Sequence, residues 1–152
     1  MTILSTRGAR IAAACAILAA LALPAAAQPK EAQNPVVKAR MDLMGTIRMN
    51  TGVLGDMASG KAAFDAAKAG TAKAALTEAA AAIPAAFEPQ ETDPASEALP
   101  AIWQDWDDFA ADAKALETAA GALDTSSVET IKAGMGGVGG ACRDCHGEYR
   151  AD

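Results

Sequence analysis

The chain has 152 residues, 13 basic against 19 acidic side chains, a net charge of -6, and only three cysteines and one histidine. That acidic balance argues against nucleic acid or anionic lipid as a partner and fits a redox partner with a basic docking surface. Abundant alanine and few β-branched or aromatic residues favour helix over sheet.

Residues 1–27 read as a secretory signal peptide. Arg7 and Arg10 form a positive start, Ile11 to Leu23 an apolar run, and Ala25-Ala26-Ala27 an A-x-A cleavage signal before Gln28. The run falls short of the roughly 20 residues of a membrane span. Cys15 lies in its middle rather than at its end, which argues against a lipidated cysteine. Cleavage removes 27 residues and two arginines, leaving a chain of 125 residues, 28–152, with a charge of -8. That is enough for one domain and too short for two. The expected destination is the periplasm, with no membrane anchor after processing.

Four helices follow in the mature chain. Asn34-Pro35 supplies a cap and a first-turn proline for a helix to about Ser59, with Val37, Met41, Met44, Ile47, Thr51 and Leu54 at helical spacing. Gly45, Gly52 and Gly55 weaken it. A second helix starts at Asp65 as cap and runs to Ile83, burying Ala72, Leu76, Ala79 and Ile83. Four prolines between Pro84 and Pro100 mark a loop across one end of the molecule.

The third helix starts near Pro100 and carries Ile102 or Trp103, then Trp106, Phe109, Ala113, Leu116, Ala120 and Leu123 on one face. Ser126-Ser127-Val128-Glu129 reads as a capping box for a fourth helix. Its apolar positions Val128, Ile131, Met135 and Val138 lead in register to Cys142 and Cys145. Five glycines between Gly134 and Gly140 should each cost about 1 kcal/mol there. The stripe nevertheless passes through in register, so a continuous helix is expected, its small residues allowing close approach to a neighbour or a cofactor. Short links and one longer connection make an all-α, antiparallel four-helix bundle the natural packing.

Cys142-Arg143-Asp144-Cys145-His146 is the motif that carries chemistry. It reads as a c-type haem attachment site: two thiols one helical turn apart add across the haem vinyl groups, and the histidine beside them becomes the proximal axial ligand. Other uses of CxxC fit less well. A structural zinc site needs four ligands, and the remaining cysteine lies in the segment to be removed. A redox dithiol belongs beside a βαβ pattern that this helical chain lacks. No nucleophile, base and orienting partner stand together, and the sole histidine is committed to iron, so an enzyme is not expected.

Further residues carry a resemblance. Arg40 with Leu43-Met44, Val53-Leu54-Gly55 through Gly60, Phe64-Asp65, Ile83-Pro84 with Phe87, Leu99-Pro100-Ala101-Ile102-Trp103, Phe109, and the terminal CxxCH followed by Tyr149-Arg150 are spread along the mature chain. Together they resemble the class II cytochromes c, which include cytochrome c-prime and the low-spin cytochrome c-556 type. The resemblance implies a four-helix bundle, usually a homodimer, with one covalent haem c near one end, attached through Cys142 and Cys145. His146 would be the proximal ligand and Met44 would lie over the distal face. Arg40 would reach a haem propionate, Arg150 would sit on the proximal side, and Trp103 would pack near the haem edge. Small residues such as Ala58, Ala62 and Ala69 would suit close packing between subunits.

Two functions remain. With Met44 bound to iron, the protein is a six-coordinate, one-electron carrier serving periplasmic redox proteins; thioether stabilises ferrous iron and raises the potential. With Met44 as a non-coordinating distal side chain, the iron is five-coordinate and binds nitric oxide or carbon monoxide. The Leu43-Met44 and Val53-Leu54-Gly55 match puts the carrier first.

Overall fold

A computed structural model describes residues 31–151. The expected signal peptide and cleavage site lie outside the described residues.

The first helix, α1, is Pro35–Ala58. The Asn34 side chain accepts hydrogen bonds from the Val36 and Val37 amides at 2.9 and 3.3 Å, satisfying donors that the first turn leaves over. Asp93 adds a second clamp, accepting from the amides of Gln33 and Asn34 at 2.8 and 2.9 Å. These bonds, with a third from Ala95 as the largest contributor, hold its carboxyl below the usual carboxylate range. The chain leaves α1 through Gly60 at φ +77°, a conformation that glycine adopts without strain. Helix α2, Ala66–Ala81, begins at Asp65, whose side chain accepts from the Lys68 amide at 3.0 Å.

Beyond α2 the proline-rich segment is not wholly a loop. Ile83–Phe87 forms a short helix, α3, with Pro84 in its first turn and Ile83 and Phe87 buried. A proline there loses no bond, because a first-turn amide has no partner inside the helix. The expected third helix is divided. Ala101–Gln104 (α4) ends at Asp105, with φ -119° and ψ 47°, and Trp106–Gly121 (α5) starts anew. The last helix, α6, runs unbroken from Val128 to Tyr149, through all its glycines. Ser127 caps it, but the reciprocal partner of the capping box is Thr130 rather than Glu129.

The four long helices form a closed ring in which α1 packs on α2, α2 on α5, α5 on α6 and α6 back on α1. This is an all-α four-helix bundle. Leu54, Leu76, Phe109, Leu123, Ile131 and Val138 fill its centre. Phe109 ties one end together, with ring centroids 5.2 Å from Phe87 and 5.3 Å, edge to face, from Tyr149. The expected α1 stripe is corrected at Met41, which is exposed, while Arg40 and Asn50 are buried. The helix presents one face to the core and the adjoining one to a cavity, so a single apolar stripe does not describe it.

Gly134 explains one of the costly glycines. A Cβ built there would lie 2.5 Å from Cδ2 of Leu123, itself fully buried. The close approach of α6 to the end of α5 needs a residue without a side chain. Gly134→Val should therefore destabilise the fold by about 1–3 kcal/mol, as overpacking does. Gly136→Ala, where nothing lies within 4 Å of the added carbon, should stabilise it by up to about 1 kcal/mol. Denaturant unfolding of the two variants checks the contrast.

The end of α6 is latched by the connection between α3 and α4. Leu99 N donates to Tyr149 O at 2.9 Å and Ala151 N to Glu97 O at 2.8 Å, with an isolated antiparallel bridge between Ala98 and Arg150. Among the described residues, no helix is long and apolar enough to cross a membrane.

Candidate functional site

At this end of the bundle a cavity of about 800 Å³ opens between α1, α5 and α6, roofed by residues 94–98. Its size falls within the range of about 300–1,000 Å³ typical of small-molecule and cofactor sites. Cys142, Cys145 and His146 line it from α6, and Met44 lines it from α1. The two helices run antiparallel, with Met135 Cε 4.0 Å from the position of a Cβ on Gly55. Counting from that contact in opposite directions along the two helices brings Met44 level with His146, and Arg48 level with Cys142. One side chain on each helix can thus face the same point in the cavity.

The electrostatics suit a ligand rather than a dithiol switch. Burial pushes both thiols up, Cys145 to about 11 with Asp112 adding to the effect, so neither is a thiolate at neutral pH. His146 stands at the exposed rim. Desolvation of the ring, then the neighbouring Arg150 guanidinium, push its pKa below the ordinary histidine value and keep a neutral imidazole able to bind metal. A second, more open hollow of about 550 Å³ on the other side of His146 is lined by Cys142, Arg143, Gly147, Arg150 and Ala151. Among the described residues, no three His, Cys, Asp or Glu side chains converge as a metal-ion site.

Arg40 lines the cavity too, but its guanidinium is turned to the backbone. Nε donates to Ala86 O at 2.9 Å, Nη1 to Glu91 O at 2.8 Å, and Nη2 to Pro89 O. The cation sits 5.0 Å from the Phe87 ring centroid and 5.4 Å from that of Trp103. Its contacts organise the cavity wall, a role that the expectation of a propionate partner did not include. Trp103 is not in the lining. Its indole donates to Phe87 O at 2.7 Å, and it supports the wall from behind through Arg40. Arg150 reaches the cavity rim while paired with Glu97 at 2.7 Å.

Sequence reasoning missed Arg48, Thr51 and Asp112 as lining residues. Arg48 and Thr51 lie four and seven positions after Met44, so the helical period carried a signal for both. Asp112 interrupts the α5 stripe one turn after Phe109, whereas Glu97, in an irregular segment, had no comparable signal. Thr51 Oγ1 is buried with no hydrogen-bond partner among the described residues. Two thiols, a neutral imidazole, a thioether and an otherwise mainly apolar lining form a donor set that fits a c-type haem.

Comparison with known proteins gives the family and the fold. The family model described as Cytochrome C' matches residues 35–150. A cytochrome c-554 of Cereibacter sphaeroides is 33% identical over 137 residues, spanning 86% of this chain and 90% of that protein. A cytochrome c-556 of Agrobacterium tumefaciens is 36% identical over 116 residues, spanning 74% and 91%. Among solved structures, a nitric oxide complex of a cytochrome c prime variant from Alcaligenes xylosoxidans superimposes with a TM-score of 0.69 at 28% identity. It covers 77% of this chain and 94% of that one. A carbon monoxide-bound variant from the same organism matches with the same TM-score.

Proposed function

The chain belongs to the cytochrome c′ family and carries one covalent haem c on Cys142 and Cys145, and from that premise we propose that it binds a small gas at the haem. His146 is the proximal ligand. Met44 covers the distal side without coordinating, leaving a position for nitric oxide or carbon monoxide. The observation that carries this reading is the superposition on gas-bound structures over 77% of the chain. The level placement of Met44 and His146 is compatible with it. The carrier reading, placed first on sequence grounds, is thus the less supported of the two.

When bound, the haem would supply an iron able to take a small ligand and to cycle between two oxidation states. The chain supplies the rest. Cys142 and Cys145 tether the group to one helical turn, and His146 offers a neutral ring nitrogen. Val37, Ile47, Phe87 and Leu116 keep the lining apolar. Met44, flexible and polarizable, fills the space over the distal face and yields to a small ligand at little cost. The protein acts in the periplasm as a homodimer once residues 1–27 are removed, and electrons reach it from a redox partner with a basic surface. It binds and carries rather than catalyses.

The second reading keeps Met44 as the sixth ligand and the protein as an electron carrier; the match to a cytochrome c-556 favours it. Spectra of the purified haem protein separate the two. The gas-binding reading expects high-spin iron in both oxidation states and direct binding of carbon monoxide to the ferrous form. Met44→Ala should then accelerate that binding several-fold without changing the spin state. A low-spin oxidised form with the near-infrared band of methionine-to-iron coordination overturns it in favour of the carrier.

A further inference from the structure

Asp112 is a half-buried carboxylate in the wall of a largely apolar cavity. Its position follows from the register of two helices. α5 and α6 run antiparallel with Ala119 Cβ 3.8 Å from the position of a Cβ on Gly137, so Asp112 falls level with Asp144 and next to Cys145. The charges facing it are of its own sign: Asp108 one turn back on α5, and Asp144 and Glu148 on α6. Arg48 of α1 and Arg150 of α6 line the same cavity, yet neither pairs with it, and Arg150 is committed to Glu97 from the roof. Among the described residues, Asp112 has no ion pair.

This environment resists ionisation. Burial first, then Asp144, Asp108 and Glu148, hold the Asp112 carboxyl above the usual carboxylate range. Its field reaches the cofactor attachment point, since it is the second cause of the raised Cys145 thiol. A group so placed feels the charge of whatever is joined to Cys145. Reduction of the iron removes one positive charge from the cavity and makes the carboxylate harder to maintain; oxidation restores the charge and favours it.

We propose that Asp112 is the proton-exchanging partner of the haem, binding a proton when the iron is reduced and releasing it when the iron is oxidised. In the forward direction one electron from an external one-electron donor converts ferric to ferrous iron. One proton from solvent joins a carboxylate oxygen of Asp112, and no other bond is made or broken. The proposal rests on the haem being attached at Cys145 and is independent of whether Met44 binds iron.

The test is the midpoint potential of the haem protein measured against pH for the wild type, Asp112→Asn, Asp112→Glu and the control Asp108→Asn. The wild-type potential should fall as pH rises through the range in which Asp112 ionises, which burial and its acidic neighbours place above that of an ordinary carboxylate. Asp112→Asn should lie above the wild type at neutral pH, having lost a negative charge, and its potential should be flat across that range. Asp112→Glu and Asp108→Asn should keep the slope. A pH-independent wild type, an unchanged slope in Asp112→Asn, or loss of the slope in Asp108→Asn as well would each overturn the proposal. None of these outcomes bears on the spin state, so failure here is distinguishable from failure of the gas-binding reading.

Discussion

Replacing Cys142 and Cys145 together by serine should abolish covalent haem retention completely. A thiol adds to a haem vinyl group to give a stable thioether, whereas a serine hydroxyl does not form the equivalent bond under the same conditions. In the double variant any haem would be held only by His146 and by contacts with the cavity wall. Denaturation followed by acid-organic extraction should then remove it entirely, while the wild-type polypeptide keeps it. Each single variant retains one attachment and should resist extraction. The double variant should also melt at a lower temperature, because a group joined to the native state stabilises it and that coupling is weakened. His146→Ala separates attachment from ligation: haem should remain on the chain, with a spectrum changed by loss of the proximal nitrogen. Complete release of haem from the extracted wild type would refute the assignment of the two cysteines.

Arg40→Leu should be the most damaging substitution away from the attachment motif, costing about 3–5 kcal/mol. Arg40 is only 3% exposed, and its three donor nitrogens hold the carbonyls of Ala86, Pro89 and Glu91. Hydrogen bonds from a charged donor contribute about 1.5–3 kcal/mol each, and acceptors left buried without partners add a penalty. Contacts with the faces of Phe87 and Trp103 add about 0.5–1 kcal/mol each or more. These terms are not additive, hence the lower total. For a domain of this size the loss corresponds to a fall in Tm of the order of 10–20 °C. Lysine should recover little of it, since one ammonium does not reproduce a planar fork serving three carbonyls. Denaturant unfolding of the haem-loaded protein decides the point. A loss below about 1 kcal/mol accompanied by a large change in potential would instead favour the propionate contact that the family resemblance implies for Arg40.

What the sequence determined by itself was local. The caps at Asn34 and Asp65 are each read within three residues of the groups they satisfy, whereas the box before α6 lies one residue later than its Ser126–Glu129 pattern implies. The spacing of Leu54, Leu76, Phe109, Leu116 and Ile131 marks buried faces, because helical periodicity repeats within a turn or two. The CxxCH motif is local in the same sense: five adjacent residues carry both attachment thiols and an imidazole. Even the glycine-rich passage of α6 was legible, since the apolar register continues across it, although only packing against Leu123 accounts for Gly134. The division of the third helix at Asp105, the short helix at Ile83–Phe87 and the Thr130 partner of the capping box departed from expectation, where local preferences are nearly balanced and neighbours decide.

Tertiary structure alone decided which side chains meet in the cavity. The carbonyls that bind Arg40 lie 46 to 51 residues away, in a segment whose course depends on how Phe87 packs on Phe109. The level placement of Met44 with His146, and of Asp112 with Asp144 and Cys145, follows from the registers of α1 on α6 and α5 on α6. Neighbouring side chains at Gly55 and Gly137 mark those registers. Propensity and periodicity act over a few residues and orient a helix face, but they carry no information about how far one helix slides along another. That offset comes from the interdigitation of side chains across the interface, and it is what turns separate thiol, imidazole, thioether and carboxylate groups into one site.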